Sequence, residues 1–266
     1  MSTKEFGRTR LRTMVSKVPE VTIYFWIIKI MATTVGETAA DFLNTNLHLG
    51  LTGTTLVMGA LLAAVLAAQF REKKYVPQIY WLAVVLISVV GTLITDNLTD
   101  HFGISLWVTS FLFALALTAT FVVWYANERT LSIHSIYTTR REAFYWLAIL
   151  FTFALGTAAG DLVAEQLNLG YWKSALMFGA VIGLVVIAWK YAHLNAVLAF
   201  WLAYILTRPL GASIGDFLSQ PTADGGRGLG TAGTSAVFLA TILGVVVYLM
   251  RTKKDQIAVE PPNALA

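Results

Sequence analysis

The sequence predicts an all-α integral membrane protein of eight transmembrane helices, arranged as four parallel two-helix repeats with both termini cytoplasmic. Three observations predict it. Hydrophobic residues fill 57% of the 266 positions and charged residues only 13%, about half the charged share of a water-soluble domain. The apolar residues come in blocks of about 20, the length that crosses a bilayer as helix. The third observation is a spaced motif that recurs four times along the chain.

The spans are expected at 21–43, 51–69, 76–97, 104–126, 144–162, 171–189, 195–218 and 231–250. The first follows a basic segment holding Lys4, Arg8, Arg10, Arg12 and Lys17, and the second runs into Arg71, Lys73 and Lys74. The third and fourth lead to Arg129, Arg140 and Arg141. The fifth and sixth end at Lys190. The seventh contains Pro209, and the eighth is followed by Arg251, Lys253 and Lys254. Fifteen of the 19 basic residues thus fall on one side, against Lys173 and Arg227 on the other, with Lys29 and Arg208 inside spans. That bias places both termini in the cytoplasm. The runs lack the alternation of barrel strands.

In this scheme 1–20 is a basic cytoplasmic N-terminus and 21–126 the first half. A linker, 127–143, leads to the second half, 144–250, and to the tail, 251–266. The composition excludes a soluble globular enzyme, a disordered chain and a nucleic-acid-binding domain. The net charge of +4 resides in the connectors, so no nucleic-acid partner is expected. Cysteine is absent, which removes disulfides and thiolate chemistry. Segment 1–20 lacks the apolar core and cleavage site of a signal peptide.

The repeat is the richest signal. Trp26, Gly36 and Asp41 have the spacing W-x9-G-x4-D, which recurs in Trp81, Gly91, Asp96, in Trp146, Gly156, Asp161, and in Trp201, Gly211, Asp216. An aromatic residue precedes each tryptophan: Phe25, Tyr80, Tyr145 and Phe200. Two spans per unit make all four units cross in the same direction, so they relate by an axis along the membrane normal, pseudo-twofold or pseudo-fourfold. The odd-numbered helices are expected to line that axis and the even-numbered ones to face lipid. The pattern resembles a family of bacterial membrane proteins of uncharacterised activity, built from four tandem two-helix repeats with a characteristic tryptophan. The third and fourth units depart from the first, with Thr157 and Ala212 where it has Glu37. The resemblance implies a multi-pass protein of the bacterial inner membrane and supplies no activity.

The motif residues carry the functional expectation. The tryptophans are expected as interfacial anchors, and the glycines as close-packing positions. Local unwinding at Pro209 is the alternative for the fourth glycine. Fifteen residues from Trp to Asp rise about 22 Å, which sets Asp41, Asp96, Asp161 and Asp216 at one depth in the outer membrane half. Carboxylates inside a bilayer cost roughly 2.5–3.5 kcal/mol each on insertion scales, so they should face the bundle interior. Glu37 adds a fifth acid. Arg208 is within reach of Glu37, as a staple between the halves or as a charge that the substrate displaces. Lys29 is expected to snorkel to the cytoplasmic interface.

Hydroxyls, amides and carboxylates without sulfur suit Mg, Ca or Mn. His48 and His101 are expected as solvated loop residues, and 219–230 as a flexible lid or linker. The expected function is cation transport, with a divalent metal as the cation and coupling to protons. Asp41, Asp96, Asp161, Asp216 and Glu37 would bind cation and proton, with Arg208 and Lys29 as gating or counter-charges. No resident cofactor and no enzymatic activity are expected. The partners are an inorganic cation, protons and the lipid bilayer, with room for assembly as a homo-oligomer. A cation channel with an acidic ring and a non-transporting scaffold or sensor subunit are the rival readings.

Overall fold

The computed structural model describes residues 16–46 and 49–256. The described chain is all-helical: α1 (Ile23–Asn46), α2 (Gly50–Arg71), α3 (Pro77–Asp96), α4 (Leu106–Glu128), α5 (Thr139–Asp161), α6 (Tyr171–Tyr191), α7 (Ala196–Ser219) and α8 (Thr231–Thr252). Short-range chemistry starts several of them. Ser105 accepts from the Val108 amide, Thr138 from that of Arg141, and Asn195 from those of Val197 and Leu198, so each side chain caps otherwise unpaired first-turn donors. Pro77 opens α3, where its missing N–H removes no bond. Seven helices are long and apolar enough to cross a membrane. The eighth, α1, has 24 residues but carries Lys29, Glu37 and Asp41.

The helices sort into two layers. α1, α3, α5 and α7 form a closed ring in that order, and each outer helix leans mainly on the inner helix of the next unit: α2 on α3, α4 on α5, α6 on α7, and α8 back on α1. The central stretch of α3 is 67% buried and that of α2 only 17%, which separates core from wall. The motif glycines build the ring contacts. Gly36 meets Ser88, Gly91 meets Phe153, Gly156 meets Arg208, and Gly211 meets Thr33. Each partner stands seven residues past the tryptophan of the next unit, so the same contact is made four times around the ring. Pro209 does not unwind α7, which continues to Ser219. Instead Pro209 packs on Gly156 and Gly160, whose small surfaces admit its ring.

Three of the four motif tryptophans are core residues and not interfacial anchors, while Trp26 is half-buried. Trp81, Trp146 and Trp201 are only 2%, 3% and 4% exposed. They stand on ring-forming helices whose ends are covered by connectors: the Trp201 indole donates to the Leu131 carbonyl at 2.9 Å, and that of Trp81 to the Tyr75 hydroxyl at 3.1 Å. Trp107, Trp172 and Trp189, outside the motif and on outer helices, are the exposed ones.

The tryptophan end of the ring is sealed. The segment before α1 crosses it, and Lys17 reaches the buried Glu142 at 2.5 Å, with Gln69 donating to the same carboxylate at 2.9 Å. From the chain's other end, Asp255 accepts from the Tyr75 hydroxyl at 2.6 Å. Burial first, and then that carboxylate, raise the Tyr75 phenol above its ordinary range, so it stays a donor. The loop after α7 is not an open linker. It folds back so that amides of Arg227, Gly228, Leu229 and Gly230 donate to carbonyls of Phe217, Gln220, Leu218 and Ser219. These bonds satisfy carbonyls that a helix end leaves unpaired.

Candidate functional site

Register around the ring turns one sequence column into one layer across the axis. Immediately before the tryptophans lies an aromatic layer of Phe25, Tyr80, Tyr145 and Phe200, with the Tyr80 and Tyr145 hydroxyls 2.5 Å apart. Three residues past Trp26 comes Lys29, which is fully buried. Its ammonium donates to Thr207 Oγ1 at 3.3 Å and stands 4.2 Å from the ring centres of both Phe153 and Tyr204. Lys29 therefore does not snorkel. It sits on the face of α1 that points into the ring, and the residues it would have to pass are themselves core.

Arg208 occupies the middle of the axis with no exposed surface. Its Nη2 donates to Glu37 Oε2 at 3.0 Å, to Thr157 Oγ1 at 2.7 Å and to Thr92 Oγ1, while Nη1 donates to the Thr33 carbonyl at 3.1 Å. Glu37, Thr92 and Thr157 are the same position, eleven past the tryptophan, in units one, two and three. The fork of one arginine is thus shared by three repeats.

One turn further lie the aspartates. Carboxylate oxygens of Glu37, Asp161 and Asp216 all fall within 4.8 Å of one another. Asp41 and Asp96 are half-buried and outside that trio. Four equivalent positions on a ring cannot all be adjacent, because the diagonal exceeds the edge. Glu37, deeper and longer, crosses that gap from α1 to the side of α5 and α7. Among the described residues, none of the four aspartate side chains accepts a hydrogen bond or forms an ion pair. Asp216 is nonetheless only 6% exposed, and a buried carboxylate without a partner is costly.

Sequence reasoning overlooked Asp100 and Glu165, exposed acids at the same end. The signal was present: both lie four residues past a motif aspartate. There the helix widens into π turns, Asn97–His101 and Leu162–Gln166, a local form frequent at functional sites. His101 is exposed, and His48 lies outside the described residues. Two cavities, about 640 and 590 Å³, open on the flanks beside Phe121 and Trp201 and beside Trp26 and Trp189, with no carboxylate in their walls.

The arrangement offers hard oxygen ligands at one mouth of a ring that is closed at the other. A family model described as Repeat of Unknown Function (DUF347) matches residues 24–75, 79–130, 144–194 and 199–255. Each match starts within a few residues of a motif tryptophan. No curated protein and no solved structure matches the chain. With four tandem matches that cover most of its length, the chain belongs to the DUF347 repeat family.

Proposed function

We propose that this protein is a cation transporter of the bacterial inner membrane, with both termini cytoplasmic, that moves a hard divalent cation in exchange for protons. Its outer helices present Leu56, Val122, Leu184 and Leu243 at 70%, 62%, 62% and 64% exposure, a surface suited to lipid and unfavourable in water. The single observation that carries the site is the trio Glu37, Asp161 and Asp216, with Asp216 buried and without a side-chain partner among the described residues. Three carboxylates supply enough oxygens for the core of a Ca²⁺, Mg²⁺ or Mn²⁺ shell, completed by water. Carboxylates must release protons to bind metal, and that competition gives coupling. Lys29 and Arg208 compensate charge when the trio holds no cation.

A static channel fits less well. The axis is crossed by the Arg208 fork, by Lys29 between two aromatic faces and by the aromatic layer. Such a path must rearrange for anything to pass, which is the behaviour of a transporter with its site facing the aspartate end.

The test is uptake into proteoliposomes across Mn²⁺, Mg²⁺, Ca²⁺ and monovalent cations, with a pH dye inside. The purified protein should carry a divalent cation one way and protons the other. Asp161→Asn and Asp216→Asn should each remove at least about nine-tenths of the flux, since one lost charged ligand weakens a site tenfold or more. Flux equal to that of empty liposomes for every ion would sink the proposal.

A further inference from the structure

We propose that Arg208 is a tethered cation that holds Glu37 in the cation-free site and is displaced from it when a divalent cation binds. The inference rests on the cation reading above and adds how the site is kept closed until its substrate arrives.

Three features of the ring make this arginine an exchangeable occupant. The first is its seat. Arg208 springs from the layer seven past the tryptophan, where the other units carry Thr33, Ser88 and Phe153. Its fork lands on the next layer out, on all three residues that its own repeat does not supply. Its own repeat has Ala212 there, and a Cβ on Gly156 would overlap the arginine stem. The site is therefore shaped around this side chain.

The second feature is that Glu37 belongs to two groups at once. Its Oε2 accepts from Arg208, and the same carboxylate is a member of the trio with Asp161 and Asp216. A metal ion that draws Glu37 in must compete with a guanidinium, and like charges so close repel. The third feature is that Arg208 keeps neutral acceptors when Glu37 leaves: the hydroxyls of Thr92 and Thr157 and the carbonyl of Thr33. A buried guanidinium stripped of every partner would be prohibitive. With three acceptors retained, the exchange is feasible.

The two sides of this mechanism predict shifts of opposite sign. Mn²⁺ binding is followed by electron paramagnetic resonance on the full-length protein in detergent. Arg208→Gln removes the competitor and should tighten Mn²⁺ binding by about tenfold or more, the scale of one close charge. The double variant Thr92→Val with Thr157→Val leaves every charge in place but removes the acceptors that hold the displaced arginine. It should weaken binding about severalfold: these bonds are lost in both states, but the loss costs more in the bound state, where the guanidinium no longer has Glu37 as a partner. A residue that merely holds the fold together would not move the two variants in opposite directions.

Wild type that binds Mn²⁺, with both variants unchanged, would overturn the displacement and leave the cation site standing. Tighter binding in the threonine variant would also overturn it. Wild type and both variants blind to Mn²⁺ would overturn the site and the displacement together. Should Arg208→Gln fail to fold, the threonine variant decides alone: weaker binding supports the inference and unchanged binding ends it.

Discussion

A guanidinium with no exposed surface persists inside the ring because both of its terminal nitrogens find polar acceptors, one of them charged. Arg208 has a carboxylate, two hydroxyls and a carbonyl around two nitrogens. Breaking a buried ion pair from one side strands the other charge, at about 3–5 kcal/mol. Glu37→Gln and Arg208→Gln should each lower unfolding stability on that scale, and the double variant should recover part of the loss. Thermal unfolding in detergent measures the cycle, and strict additivity would show that the pair contributes no coupling. Glu37 and Arg208 were legible in the sequence because both break the fourfold pattern at depths that an arginine can bridge. The seat of Lys29 was not. Its distance from Trp26 gives height along the helix, but rotation toward Phe153 and Tyr204 depends on two other helices.

At the scale of the element, identical glycines have unequal tasks. On the inner helices they sit at crossings: a Cβ on Gly91 would stand 2.8 Å from Phe153 Cβ, and one on Gly156 would overlap Arg208. On the outer helices Gly59, Gly183 and Gly244 face open space. Gly91→Ala and Gly156→Ala should therefore destabilise by about 1–3 kcal/mol, the usual scale of overpacking. Gly59→Ala and Gly183→Ala should be neutral, or stabilise by up to about 1 kcal/mol through helix propensity. Equal effects on both layers, read by thermal unfolding, would contradict the ring. The motif marked the crossing glycines by spacing alone. The π turns after Asp96 and Asp161 had no such mark, since widening by one residue leaves the hydropathy of a helix unchanged.

At the scale of the molecule, cyclic closure decides the shape. Each outer helix covers the inner helix of the following unit, and α8 completes the circle on α1, so no unit is a self-sufficient pair. The proposed orientation rests on the charge bias of the connectors, and the absence of cysteine makes it directly measurable. Lys74→Cys and Arg251→Cys should react with an impermeant thiol reagent only from the cytoplasmic face. Arg227→Cys should react only from the opposite one. Labelling of all three from one side would overturn the proposed topology.

Hydropathy and the fourfold spacing, taken alone, determined the helix count, the common direction of the units, the two-layer sorting and the column to which each polar residue belongs. These are properties of one helix and its period, and a chain states them locally. Tertiary structure decided what each column meets. It drew Trp81, Trp146 and Trp201 into the core, made one arginine serve three repeats, joined Glu37 to Asp161 and Asp216 while leaving Asp41 and Asp96 outside that trio, and sealed the tryptophan end with Lys17, Glu142 and Asp255. The physical reason is that rotation and lateral position are set by contacts between helices far apart in sequence. Side chains of equal depth become different sites once one arginine breaks the symmetry of the ring they share.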